Sequence, residues 1–267
     1  MNKSYKDTFK SAAWYYARYR AEYPVVFFEM LKTKYELTTH DRIMDLGCGT
    51  GQIAIPLSRM VKEVVAIDPE PQMLEEGKIL AQESGVHNIG WIEGGSEDIG
   101  DVLGELGTFK LVTIGTAFHW MNGEKTLNVL YQMIINGGGI VIASMNSAKV
   151  QSFHIEEVIK KWLGEERRAG SGLYKQPSRS YQEVIKESKF PHMETWQQNL
   201  VWNNTVDSII GVTYSTSYAN PNVLGDKKEA FEKDLRVGFS VWSNAHATHT
   251  SSATFISCTN FIVSLLV

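Results

Sequence analysis

The sequence predicts an α/β fold, a doubly wound and mostly parallel sheet with helices on both faces. Two observations carry this. From residue 42 to about 145 short apolar runs alternate with stretches of helical length and pattern, as parallel strands joined by crossover helices do. The first run, Arg42-Ile-Met-Asp-Leu-Gly-Cys-Gly-Thr-Gly51, ends in a glycine-rich turn with a helix behind it, a junction that suits a polar or anionic ligand. At 267 residues the chain fits one such unit with an insertion or cap.

Residues 7–35 precede the first strand and read as two helical pieces broken near Tyr23-Pro24. The first piece is dense in tyrosine and arginine. It is either an amphipathic helix whose aromatics pack on the sheet edge, or a lid over a ligand site with its tyrosines lining the pocket and Arg18 or Arg20 near a carboxylate. The second piece, Val25 to Leu31, has an apolar face and reads as core. Strand one is Ile43-Met44. Gly47, Gly49 and Gly51 then let the backbone turn sharply and admit a ligand, since no Cβ stands in the way. The helix from Gln52 to Val61 offers free N–H groups at its start, with Pro56 near its first turn. Strand two, Val64 to Ile67, ends at Asp68, and a helix spans Pro69 to Glu83 with Met73 and Leu74 inward. Strand three, Asn88 to Ile92, precedes Glu93-Gly-Gly-Ser-Glu-Asp-Ile99. Strand four, Phe109 to Ile114, leads into Gly115-Thr-Ala-Phe-His-Trp120. A helix from Glu124 to Ile135, a turn at Gly137–Gly139 and strand five, Ile140 to Ser144, close the regular core.

Beyond residue 145 the spacing changes. A helix from Gln151 to about Arg168, a loop at Ala169–Leu173, a helix from Ser180 to Ser188, a strand from Glu194 to Trp202, and helices at Val206–Tyr214 and Lys227–Val237 read as a cap inserted between strands five and six. Thr213 to Tyr218 either line a substrate pocket there or form a turn. From Val237 to Val267 there is no Lys, Arg, Asp or Glu. Either Phe255-Ile-Ser and Phe261 to Leu266 form a hairpin that adds the last antiparallel strands, or a frame change or engineered end has altered the composition. The expected division is a helical lid over 1–40, a ligand-binding core over 41–147, the cap and remaining core elements over 148–236, and the atypical C-terminal strands over 237–267.

A net charge of −4 with 21% charged residues gives no basic stripe of the kind nucleic acid requires. Lys160-Lys161 and Arg167-Arg168 lie on amphipathic helical pattern, as solvated faces do. Cys48 and Cys258 are too few for a disulfide framework, and neither has metal-ligand spacing. The N-terminus lacks an apolar signal region and no apolar run is long enough to span a bilayer. The expectation is a cytoplasmic protein, monomer or homodimer, with a small-molecule partner and no metal, membrane or nucleic acid.

Which nucleotide-type ligand suits the turn depends on its details. Its spacing is G-x-G-x-G with Asp45 two residues ahead, not the G-x-G-x-x-G of nicotinamide and flavin sites. Asp68, at the end of strand two, is placed to accept hydrogen bonds from ribose hydroxyls. Asp45-Leu-Gly-Cys-Gly-Thr-Gly51, then Val64-Val-Ala-Ile-Asp68 with Pro69 to Leu74, then Gly95-Ser-Glu-Asp-Ile99 resemble, in this order and spacing, the class I S-adenosylmethionine-dependent methyltransferases. The similarity is to their small-molecule branch, methyltransferase type 11 and trans-aconitate-methyltransferase-like. It covers roughly residues 10 to 235, with specific motifs only between 42 and 120.

The resemblance implies a Rossmann-like core, S-adenosylmethionine as cofactor, S-adenosylhomocysteine as product, and a small-molecule methyl acceptor. It assigns the cofactor to Asp45, Gly47, Cys48, Gly49, Gly51, Gln52, Asp68, Pro69, Met73, Ser96, Glu97 and Thr116. Relatives commonly carry a polar residue where Gly95 stands, which leaves adenine contacts to the backbone at Ser96 and to Glu97. Ser96 also reads as a helix N-cap with acids in the first turn, and both can hold. Thr116, His119 and Trp120 fall at the carboxyl end of strand four, where ligands of open parallel sheets sit. His119 is the candidate base for a hydroxyl or amine acceptor, or a structural histidine. Tyr15, Arg18, Tyr19, Arg20 and Trp120 are the candidate substrate residues. Some similar enzymes esterify small polycarboxylic acids, and a guanidinium matches a carboxylate with two parallel hydrogen bonds. Two other classes stand beside this one: a nucleotide-dependent oxidoreductase, which the glycine spacing and Asp45 oppose, and a non-catalytic relative that binds the cofactor.

Overall fold

The structure, a computed structural model, describes residues 9–99, 104–147, 153–164, 179–190, 192–246 and 255–266. Among these, the helices are α1 (Ala13–Tyr19), α2 (Val25–Lys34), α3 (Ala54–Ser58), α4 (Pro71–Glu83), α5 (Gly123–Met133), α6 (Phe153–Leu163), α7 (Tyr181–Lys186), α8 (Val206–Tyr214), α9 (Pro221–Leu224) and α10 (Lys228–His246). The strands are β1 (Arg42–Leu46), β2 (Glu63–Asp68), β3 (Ile89–Glu93), β4 (Phe109–Gly115), β5 (Ile134–Ser147), β6 (Met193–Asn204) and β7 (Phe255–Leu266). They form one sheet in the order β3-β2-β1-β4-β5-β7-β6. Neighbours from β3 to β5 run parallel, and β7 is antiparallel to both β5 and β6.

The inner strands are buried along nearly their whole length because helices cover both faces. Successive side chains then serve two cores. Ile43, Val64, Ala66, Leu111 and Val141 pack with Phe27, Phe28 and Leu31 of α2 and Leu57 of α3. Met44, Val65, Ile67, Val112 and Ile142 pack on the other side with Leu127, Leu130 and Met133 of α5 and Ile185 of α7. A satellite core joins Val158 and Ile159 of α6, Ile209, Ile210 and Tyr214 of α8, and Phe231 and Leu235 of α10. The chain winds outward from β1 to β3, then returns to β4 on β1's other side. The carboxyl ends of β1 and β4 therefore part, which opens a crevice between them. α1 lies over that end of the sheet, against α4 and α8.

Several expected elements differ. The C-terminal segment is one strand, not a hairpin. β7 pairs from Ile140↔Leu266 to Ser147↔Thr259 with β5, and from Met193↔Leu266 to Asn204↔Phe255 with β6. An inner strand has both backbone edges bonded, and Phe261, Val263 and Leu265 sit fully in the core, where a charge would be desolvated. That accounts for the absence of charge at these inward positions of β7. The Gly137–Gly139 stretch is an irregularity within β5 rather than a turn before it. The register against β4 shifts there, Gly137 has φ +73°, and a Cβ on Gly138 would stand 2.4 Å from the Lys110 carbonyl oxygen. The helix expected over 227–237 runs on to His246, since the end of the charged residues is not a helix stop. The expected helix over 52–61 is only Ala54–Ser58, because left-handed Gly51 and the turn behind it delay its start. The loop expected at 169–173 lies outside the described residues. No helix among the described residues is long and apolar enough to cross a membrane.

Candidate active site

Asp45 sits near the carboxyl end of β1 with Ala66 of β2 on one side and Thr113 of β4 on the other. The Thr113 hydroxyl donates to Asp45 Oδ1 at 2.7 Å, while Oδ2 is buried and has no hydrogen-bond partner. Burial pushes the carboxyl up to about 7. The bonds from Thr113 and the Ala54 backbone oppose that shift, and nearby Asp68 adds to it. The turn beyond Asp45 is fixed to β2, because the N–H groups of Gly47 and Cys48 both donate to the Ile67 carbonyl at 2.8 and 3.0 Å. Gly47 must be glycine twice over: its φ is +71°, and a Cβ there would stand 2.5 Å from that of Ala117.

Asp68 is bound into the same turn. Its Oδ2 accepts from Gly49 N–H and its Oδ1 from Glu70 N–H, each at 2.9 Å. Burial raises its carboxyl to about 6 against these two bonds. At the end of β4, Thr116 takes φ +51°, a strained conformation for a β-branched residue. It is held by donation from its N–H to the Ala143 carbonyl at 2.7 Å and by its hydroxyl lying 3.3 Å from the Tyr23 hydroxyl.

These ends open into a cavity of about 620 Å³ walled by α1, the β1 and β4 turns, the end of β6 and α8. Of the residues singled out from sequence, it brings together Asp45, Gly47, Cys48, Gln52, Thr116, His119 and Trp120 with Arg18, Tyr19 and Arg20. His119 is exposed and lies against Trp120, with ring centres 4.9 Å apart. Gly49, Gly51, Asp68, Pro69, Met73, Ser96, Glu97 and Tyr15 do not line it. Gly51 makes room for Trp91, 2.8 Å from where its Cβ would be, and Met73 is buried on the inner face of α4. Ser96 and Glu97 lie on a turn after β3, and Asp98 accepts the Gly95 N–H at 2.8 Å where Ser96 was expected to cap. Tyr15 packs into the satellite core, edge-on to Tyr214 at 5.1 Å.

Both arginines are engaged. Arg18 pairs with Glu76 of α4 at 2.9 Å and covers the Trp14 ring. Arg20 donates to the Ser215 hydroxyl at 2.7 Å and to its carbonyl, and lies over the Tyr16 ring. They tie α1 to α4 and to the end of α8.

Of four further contributors, two belong to the tyrosines expected to line the pocket and two were not singled out from sequence. Tyr16 and Tyr23 both line the cavity, and Tyr16 stands 3.6 Å from where a Gly49 Cβ would be. Tyr16 stands on α1 and Tyr23 in the non-helical segment that follows it, so no helical period joins the two. Trp202 lines the cavity from β6, and its Nε1 is buried without a partner. Gly211 of α8 receives the Tyr19 ring, since a Cβ there would stand 2.2 Å from Tyr19 Cγ. The last two depend on tertiary packing and leave no local mark.

Residues 43–138 match a family model described as a methyltransferase domain. The ubiquinone biosynthesis O-methyltransferase of Azorhizobium caulinodans is 32% identical over 127 residues, 46% of this chain and 48% of that protein. The chain thus spans about half of that relative's length, and less of the other curated relatives it first matches. The methyltransferase YcgJ of Bacillus subtilis, itself uncharacterised, is 34% identical over 70 residues, 26% of this chain and 27% of that one. Its crystal structure matches with TM-score 0.53 at 15% identity, covering 90% of this chain and 97% of that chain. An S-adenosylmethionine-dependent methyltransferase of Thiobacillus denitrificans, solved with S-adenosyl-L-homocysteine, matches with TM-score 0.50 at 13% identity over 94% of this chain and 96% of its own. The fold is therefore the Rossmann-like one of these proteins.

Proposed function

We propose that this chain, which carries a methyltransferase domain over residues 43–138, is an S-adenosylmethionine-dependent methyltransferase acting on a small molecule, with transfer to an oxygen. The observation that carries the reading is Asp45: a buried carboxylate with one oxygen unpartnered, at the switch point of the sheet and inside a glycine turn open to a cavity. Such an oxygen suits a cationic hydrogen-bond donor, and S-adenosylmethionine brings an ammonium and a sulfonium in one molecule. The residues present therefore fit the cofactor. Asp45, Gly47, Cys48, Gln52 and Thr116 hold its amino-acid end. Gly49, Asp68, Pro69, Ser96 and Glu97, at the neighbouring strand ends, would serve its nucleoside end, while Gly51 and Met73 support the site by packing against Trp91 and inside α4.

When bound, the cofactor supplies an electrophilic methyl group. The chain supplies position and dryness. α1, held by Arg18 to Glu76 and by Arg20 to Ser215, serves as a lid that keeps water out, with Tyr16 against the glycine turn. The helices α6, α8 and α10, joined by the satellite core, serve as the cap, with α8 walling the cavity. Trp120 and Tyr19 confine the acceptor, so that its oxygen is held in one orientation. His119, on the cavity rim, receives the proton that a hydroxyl acceptor gives up.

The experiment is transfer of tritium from methyl-labelled cofactor to a panel of small phenols, alcohols, amines and acids. Label in at least one oxygen-methylated product is expected, and His119→Gln should lower turnover while leaving S-adenosylhomocysteine affinity unchanged. Label in no acceptor would remove the methyltransferase reading. Rates unaltered by His119→Gln across pH would remove the base.

A further inference from the structure

At the end of β4 the chain leaves the sheet, and it does so at one residue. Thr116 follows Gly115 with its N–H still bonded along the ladder, to the Ala143 carbonyl at 2.7 Å. Its φ of +51° then turns the chain toward the short helix Phe118–Trp120. His119 and Trp120 reach the cavity from that loop. Glycine takes this left-handed conformation freely and asparagine readily, whereas a β-branched side chain is strained in it. Such a residue persists only where its surroundings hold it.

What the threonine side chain meets there is Tyr23. This residue lies between α1 and α2, and its hydroxyl stands 3.3 Å from the Thr116 hydroxyl. Its ring is buried against Phe27 at 5.4 Å and Phe261 at 5.6 Å. Burial pushes the phenol far above its usual range, so it keeps its proton at any working pH and is able to donate. Gly115 is fitted to the same contact, since a Cβ there would stand 2.6 Å from Tyr23 Oη. Two adjacent positions thus suit one phenol oxygen, the glycine by making room and the threonine by offering a partner. A phenylalanine at 23 would fill the same core, so the hydroxyl is the part that packing alone does not call for.

From this arrangement we propose that Tyr23 is a positioning residue of the methyl-transfer site. Its hydroxyl holds Thr116 in the left-handed turn, and through that turn it fixes the loop that carries His119 and Trp120. This rests on the methyltransferase reading, in which Thr116 serves the cofactor's amino-acid end. Without the phenol oxygen the turn keeps its strain and loses one of the bonds that oppose it, so other conformations of residue 116 become populated. Those conformations move Thr116 off the cofactor and carry His119 and Trp120 with it. Cofactor affinity then falls in proportion to the molecules that leave the competent state. A glycine at 116 has neither the strain nor the hydroxyl, so it leaves Tyr23 nothing to hold.

The test is a double-mutant cycle of Tyr23→Phe and Thr116→Gly. It is read by calorimetry with S-adenosylhomocysteine at pH 8 and by the Trp120 indole N–H resonance, assigned by its loss in Trp120→Phe. Tyr23→Phe should weaken S-adenosylhomocysteine about threefold to tenfold, the effect of one neutral hydrogen bond, and should shift or broaden the Trp120 signal. In the Thr116→Gly protein the same change should alter affinity by less than about twofold and leave the Trp120 signal where Thr116→Gly put it. Thr116→Val, which removes the hydroxyl from the other side, should disturb the Trp120 signal as Tyr23→Phe does, and Thr116→Ser, which keeps it, should not. A purely packing role for Tyr23 predicts one factor in both backgrounds. No effect of Tyr23→Phe, equal effects with threonine and with glycine at 116, or an undisturbed Trp120 signal in Thr116→Val overturns the inference while the cofactor reading stands. Failure of S-adenosylhomocysteine to bind the native protein overturns both.

Discussion

Replacing Asp45 by asparagine separates two contributions that the native site combines. Asparagine keeps an oxygen for the Thr113 hydroxyl but loses the charge at the unpartnered position. Burial holds the Asp45 carboxyl at about 7, so the cation-binding form is scarce in acid. If only the ionised form binds, S-adenosylhomocysteine affinity should fall about 100-fold from pH 8 to pH 5, or ~2.7 kcal/mol, for a group that titrates at 7. Asp68, raised to about 6, acts in the same direction and adds up to about tenfold at pH 5 if its charge is also used. Asp45→Asn should therefore weaken binding at pH 8 by ~1.5–3 kcal/mol, the usual range for a hydrogen bond to a charged group, and leave only the shallower slope of Asp68. The assay is calorimetry across pH 5–8 in two buffers of different ionisation enthalpy, which also counts the protons released. A native affinity that changes less than about threefold over that range, or an Asp45→Asn slope equal to the native one, would refute the role given to this carboxylate.

Three further outcomes are expected. Between the ordinary carboxylate pKa and the raised native values, the folded protein holds protons at Asp45 and Asp68 that the unfolded chain has released, so unliganded stability falls as pH rises from about 4 to 7. Asp45→Asn should reduce that fall in urea titrations at pH 5 and pH 8, and an unchanged pH dependence would contradict it. Gly211→Ala should destabilise by ~1–3 kcal/mol because the new methyl meets the Tyr19 ring, whereas helix propensity alone predicts stabilisation by ~1 kcal/mol; the sign of the shift in urea midpoint decides. Phe261→Ala should cost ~3–5 kcal/mol, since the ring is fully buried against Phe27 at 5.2 Å and against Tyr23 and Trp196 at 5.6 Å; a change below about 1 kcal/mol would mean that β7 is not an inner strand.

What was legible in the sequence was local. Asp45, the glycines behind it and Asp68 lie within two strands and their turns, where backbone conformation and burial leave a direct mark on residue type. The alternation from 42 to 145 likewise reports burial on two faces. The C-terminal segment was readable in composition but not in arrangement. Freedom from charge indicated burial, yet whether Phe255–Leu266 turns at Cys258–Asn260 or runs straight depends on β6, which is long enough to pair along all of it. The cavity wall was hidden for a related reason. Thr213 and Ser208 look like ordinary helix residues until their protons are traced to helix carbonyls, and Trp202 looks like any strand tryptophan until its indole N–H is found without a partner. Arg18 and Arg20 were legible by residue type, and both line the cavity. Their residue type suits a carboxylate, but their partners come from α4 and from the end of α8, far away in sequence.

The most direct measurement is calorimetry of the purified protein at pH 8 with S-adenosylmethionine and, separately, with NADH. Micromolar binding of S-adenosylmethionine, lost or strongly weakened in Asp45→Asn, with no binding of NADH, is the predicted result. Binding of NADH, or S-adenosylmethionine affinity that is indifferent to Asp45, would contradict the assignment of the glycine turn and its buried carboxylate to this cofactor.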